Sequence, residues 1–178
     1  MKPSLVILAA LAILVAAGIA SLQLAEKASP SAKAPRAATA APCAPDAVAS
    51  YGHIKSLTRS GDHFELRFDP AWFLSGVTAS RAALEGTGSS DVPNDNYIVE
   101  EGHRLLTYLV PATAHVTVLS RDGKLPGPGF PLQAITVSQL AQLVQGEKPV
   151  ELAESLESGF WMRAKGDTVC SLVHQYRP

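Results

Sequence analysis

The sequence predicts a mainly β domain of the α+β class: a small antiparallel, partly open barrel with one amphipathic helix. Three observations carry that expectation. His63-Phe64-Glu65-Leu66-Arg67-Phe68-Asp69 alternates polar and apolar residues without a break, the period of a half-buried strand. Behind Thr136, the residues Val137, Leu140, Ala141 and Val144 fall at helical spacing. Gly166-Asp167 separates two strand-like runs, Phe160 to Lys165 and Thr168 to Tyr176, and reads as the turn of a closing hairpin.

The domain opens with a second hairpin. Ser60-Gly61-Asp62 turns a strand from Tyr51 to Arg59 into the alternating run, and Asp69-Pro70 ends or bulges it, because proline has no N–H for a ladder. Ala71-Trp72-Phe73-Leu74 continues apolar up to Gly76. A short helix capped by Thr78 or Ser80 runs through Leu84 and stops at Gly86, and Thr87 to Asn96 is a polar loop. Tyr97 to Glu100, Leu105 to Val110 and the stretch around Val116 and Val118 are strand-like, with Arg121-Asp122-Gly123-Lys124 as a turn. Pro126-Gly127-Pro128-Gly129 breaks regular structure. Thr136 caps the convincing helix, and Gly146 with Pro149 terminates it.

Strands, one helix, then two strands is the order of the five-stranded barrel of OB type, in which the helix between the third and fourth strands closes one end. An irregular β-sandwich carrying one helix satisfies the same pattern.

Ahead of the domain, Pro3 to Ala25 carries no charge and is long enough for a membrane-spanning helix. It is read as an N-terminal anchor, or as a signal peptide cut after Gly18-Ile19-Ala20. Residues 26–47 are rich in alanine, hold four prolines and lack any large apolar side chain, so they read as a tether unable to offset its ordering entropy. Lys27, Lys33 and Arg36 oppose export under the positive-inside rule, whereas the leader-plus-tether arrangement favours it. The expected location is the bacterial inner membrane with the domain in the periplasm or outside the cell, or a secreted domain if the leader is removed.

From Val48 to Pro178 the chain holds 11 Lys+Arg against 14 Asp+Glu, with no basic cluster. Nucleic acid is thereby disfavoured, since its affinity rests on concentrated cations at phosphates. Cys43 and Cys170 are the two cysteines. Neither lies in a CxxC or beside a histidine, which points to a structural disulfide worth roughly 5 kcal/mol by loop-closure entropy rather than to a metal or a nucleophile.

No motif fixes a reaction or a cofactor. His53, His63 and His103 sit near the first hairpin, but none of the five histidines stands at ligand spacing, and His115 and His174 fall on polar-facing strand positions, so solvated surface histidine is expected. Asp91-Val92-Pro93-Asn94-Asp95-Asn96 fails the calcium-loop pattern at Pro93 and reads as turn chemistry. Ser75, His103 and Asp69 form no recognisable hydrolase triad. The remaining candidates are aromatic: Trp72 at a strand end, and Trp161, which faces outward beside Arg163 if Phe160, Met162 and Ala164 face the core. Trp72, Trp161 and Arg163 are the candidate contacts for an envelope protein or a glycan.

The run YGHIKSLTRSGDHFELRFDPAWFLSGVTA, from Tyr51 to Ala79, with VPNDNY and the terminal Gln175-Tyr176-Arg177-Pro178, resembles a group of small bacterial exported proteins of no assigned activity. The resemblance covers most of the domain but not the leader or tether, and it implies export without implying a catalytic residue. The expected function is a non-enzymatic binding or accessory domain of the bacterial envelope. The alternative is a small hydrolase or metal-dependent enzyme.

Overall fold

A computed structural model of the chain describes residues 43–100, 102, 104–124 and 131–177. The leader at 1–25 and the tether from 26 to 42 lie outside the described residues, and among those described no helix is long and apolar enough to cross a membrane. The last five residues of the expected tether are fastened to the domain. Ala47 N–H closes a turn on Ala44 O at 3.0 Å, Asp46 pairs with Lys165 at 3.0 Å, and Cys43 is disulfide-bonded to Cys170 across 127 residues.

β1 (Val48–Ser60) and β2 (His63–Ser75) form a long antiparallel hairpin, with Gly61 at φ 64° in its turn. Phe64, Leu66 and Phe68 are buried and Glu65 is exposed, as the alternation requires. β2 continues past Pro70 instead of ending there. The reason lies on its outer edge, where β3 (Asn96–Glu100) pairs with Ala71 to Ser75 and β4 (Leu106–Pro111) pairs with His63 to Phe68. Asp69 and Pro70 fall between the two partners, so on that edge the missing N–H leaves no neighbouring carbonyl unpaired.

β1 takes β7 (Phe160–Lys165) on its other edge, and β7 takes β8 (Thr168–His174). A parallel bridge from Leu109 to Thr168, with Leu109 N–H donating to Asp167 O at 2.8 Å, brings β4 to β8. The ring β1–β2–β4–β8–β7 is thus partly closed, and its order, with the amphipathic helix ahead of the last two strands, is that of the OB type. It is not a clean barrel. β3 extends it at one side, and β5 (His115–Lys124) with β6 (Leu132–Ile135) extends it at the other, so that eight strands form one sheet.

The expected turn at Arg121–Lys124 is the end of β5, and β6 has no counterpart in the sequence reading. Four residues after a Pro/Gly run carry too little periodicity to show themselves. Gly123 fits because an added Cβ would stand 2.7 Å from the Pro131 carbonyl carbon.

Among the described residues there are two α-helices, the short one after Gly76 and the amphipathic one behind Thr136 that the sequence predicts. α1 (Gly76–Thr87) is longer than expected, ends on Gly88 at φ 80°, and passes through Gly86, whose missing Cβ makes room for the Tyr97 hydroxyl. α2 (Val137–Val144) is closed by a capping box: Gln139 N–H donates to Thr136 Oγ1 at 3.1 Å, and Thr136 N–H to Gln139 Oε1 at 2.9 Å. Its Val137 and Leu140 are buried with Phe68, Phe160, Met162 and Leu172 in the core.

Candidate functional site

Two irregularities in the strands decide which side chains meet. β1 carries a bulge between Ile54 and Ser56, and β8 carries one opposite the Arg163/Ala164 step. An extra residue reverses the inside-outside phase of everything beyond it. Tyr51 and Leu57, six residues apart, are therefore buried on opposite faces of the sheet. Leu57 is in the core, while Tyr51 lies with Trp161 and Phe73 on the outer side.

Those three rings form a cluster. Tyr51 stands 5.2 Å from Phe73 and 5.4 Å from Trp161, and Phe73 stands 5.7 Å from Trp161, centroid to centroid in tilted or edge geometry. The Tyr51 hydroxyl donates to Ser158 O at 2.6 Å over Gly159, and burial pushes its pKa up to about 12, with the Arg177 guanidinium opposing that rise and Glu100 adding to it. The Trp161 indole N–H donates to Gln175 Oε1 at 2.8 Å. Trp161 is thus half-buried and held, which corrects the expectation of an exposed ring beside basic residues. His53 stands edge-on to Tyr51 at 5.8 Å and bonds Glu100 at 2.8 Å.

Beside this cluster the ring is open. β4 begins at Leu106, opposite Phe68, so the next inward-phase residues of β2, Pro70 and Trp72, lie past its end. There the structure holds a solvent-open cleft of about 890 Å³ whose lining includes Val48, Ser50, Trp72, Arg104, Leu106 and Trp161. Its apolar rim is exposed: Trp72 by 57%, Val48 by 68% and Leu106 by 43%. Arg104 forms no ion pair or hydrogen bond among the described residues, and neither does the Ser50 hydroxyl. Of the three candidate contacts, the fold brings Trp72 and Trp161 to the cleft and leaves Arg163 out of its lining, near Ala47 O at 3.5 Å. Arg104, Leu106 and the Tyr51–Phe73 pair were not legible as site residues, because only pairing across three strands joins them.

His174 overturns the expectation of surface histidine. The β8 bulge turns it inward, where it is 3% exposed and stacked at 4.9 Å on Phe160. Its Nδ1 accepts from Leu119 N–H at 3.4 Å, so Nε2 carries the proton and faces Ser155 O at 2.9 Å and Ser158 Oγ at 2.8 Å. The Ser158–His174 pair has the distance of a nucleophile and its base, but the arrangement is opposite: Nε2 donates, and Ser158 Oγ donates to Ser155 O at 2.7 Å. Burial holds the His174 pKa below the usual histidine value, which keeps it neutral and structural.

Among the described residues the other histidines do not gather. His53 pairs across from Asp69 and His63 across from Ser60, about 20 Å apart along the hairpin at 3.3 Å per residue, and His103 lies outside the described residues. Ser75 and Asp69 are similarly separated on β2, and the Asp69 carboxylate is held by Lys55 at 3.0 Å. Asn94 and Asp95 adopt φ 56° and 57°, the left-handed turn conformation expected of that loop. A second concavity of about 830 Å³ lies along the segment from Gly146 to Leu156, beyond α2. Among the described residues no group of three His, Cys, Asp or Glu side chains is placed to hold a metal ion.

Comparison of the chain with protein-family models, with curated proteins and with solved structures finds no match.

Proposed function

We propose that the chain is a non-enzymatic binding domain of the bacterial envelope and that the cleft beside Trp72 is where it holds its partner. The observation that carries this reading is an apolar cleft of about 890 Å³ that keeps a large aromatic side chain, Trp72, 57% exposed at its rim. Leaving such a ring in water costs free energy that burial against a partner recovers. The dimensions match ordinary small-ligand sites, which favour the mouths of small barrels. A glycan is less well served than an apolar ligand. The Tyr51 hydroxyl and the Trp161 indole N–H are already bonded within the protein, leaving Ser50 and Arg104 as the unspent polar side chains of the lining.

The Cys43–Cys170 bond is compatible with a location outside the cytoplasm. The apolar leader supports export, either with the domain tethered by it or with the domain released after cleavage. A photoreactive phenylalanine derivative at position 72, introduced into the chain in cells of its host and irradiated, tests the reading. A discrete adduct from position 72, absent when the same group stands at exposed position 65 on the outer face of β2, is the expected result. Equal or absent labelling at both positions contradicts it.

A further inference from the structure

We propose that the ligand of the cleft is a monomeric anionic amphiphile, with its apolar tail along Trp72, Val48 and Leu106 and its headgroup against Arg104. This inference rests on the reading of the cleft as a binding site and names the chemistry it selects. The walls are apolar and aromatic, so the body of the ligand is hydrocarbon or aromatic. Arg104 is the charged side chain of the lining, and its guanidinium is unpaired among the described residues, whereas the nearby carboxylates are engaged, Glu100 by His53 and Asp69 by Lys55, and the other charge acting on the aromatic cluster, Arg177, is also positive and lies outside the lining. An unpaired planar fork of donors at the edge of an apolar cleft complements a carboxylate, sulfate or phosphate. The Ser50 hydroxyl, also unpartnered among the described residues, supplies a further donor. The site is concave, so it takes single molecules from solution rather than the plane of a bilayer.

Both tryptophans of the chain line this cleft, which makes intrinsic fluorescence a direct report of its occupancy. The whole chain, in the form its host's cells leave it, is titrated below micelle-forming concentrations with three probes of equal tail: dodecanoate, dodecanol and dodecyltrimethylammonium. Dodecanoate is expected to give a saturable change with affinity about tenfold above the other two, equivalent to about 1.4 kcal/mol. Arg104→Ala should erase that preference and Arg104→Glu should reverse it toward the cationic probe, while both variants keep the wild-type melting temperature. Trp72→Ala should weaken all three probes alike. Equal affinity for the three headgroups, or an Arg104→Glu chain that still prefers dodecanoate, overturns the proposal. So does a response to anionic vesicles with none to monomeric dodecanoate, which would make the site a membrane-contact surface. If no probe binds while the position-72 adduct is still recovered, the amphiphile is refuted and the binding-domain reading stands. Loss of both refutes both.

Discussion

Gly159 shows how tightly single residues are specified here. It sits at φ 87°, and a Cβ added to it would stand 2.5 Å from the Tyr51 hydroxyl and 3.0 Å from Gly52 O. Gly159→Ala meets both a forbidden backbone region and a collision with the anchor of the aromatic cluster, and should destabilise the fold by about 2 kcal/mol or more in a denaturant titration. Gly166→Ala, also at positive φ but in open space, incurs only the backbone strain and should cost less. His174 gives a pH signature. Its folded-state pKa lies below the unfolded value of about 6.5, so the unfolded chain binds the proton more readily and stability falls as pH drops below about 6.5. The dependence continues down to the depressed folded-state pKa and flattens above pH 6.5. His174→Gln should shorten that acid slope in pH-resolved melting curves, and an unchanged slope would mean that other groups supply it.

At the scale of the element, α2 is where sequence and structure agree most closely. Its capping residue and most of its buried face were legible, because helical periodicity and cap chemistry are local; only Val144 differs, being half-buried where Leu143 is buried. Leu140 is 0% exposed whereas Gln142 faces solvent. Leu140→Asp should therefore destabilise by more than about 3 kcal/mol, as an unpaired charge in a core does, with Gln142→Asp close to wild type. Equal melting temperatures for the two variants would refute the orientation of the helix. Thr136→Ala, which removes half of the capping box, should cost about 1 kcal/mol. Seven of the eight strands were legible, with β6 missed, and their alternation only between bulges. Phe64, Leu66 and Phe68 keep one phase throughout, but Lys55 in β1 and the Cys170 region of β8 shift it, and no residue type there announces the extra position. That is why the alternation misplaces His174, and why the cleft is not legible in the sequence: its walls come from β1, β2, β7 and the start of β4, joined by pairing and not by proximity in sequence.

For the whole molecule, the disulfide links the point where the chain enters the domain to β8, near its end. It closes 127 residues, for which loop-closure entropy predicts a stabilisation of roughly 5 kcal/mol. Cys43→Ser should lower the melting temperature although residue 43 precedes the first strand. Protein extracted with alkylation should migrate faster on a non-reducing gel than on a reducing one. An alkaline phosphatase joined after Ala47 should be active, since that enzyme needs an oxidising compartment. An inactive fusion with both thiols alkylated would mean that Lys27, Lys33 and Arg36 keep the domain in the cytoplasm.

The central claim is that partner binding occurs at the open side of the ring, beside Trp72. Two concavities of similar size compete for that role, and each has its own spectroscopic reporters: the two indole N–H groups at the cleft, and the backbone amides of Gly146 to Leu156 at the other. Nitrogen-15 spectra of the chain titrated with an extract of its host's envelope separate them. Both indole signals should shift in a saturable way while the amides of Gly146 to Leu156 stay in place. Static indole signals with shifts concentrated in that segment would contradict the account.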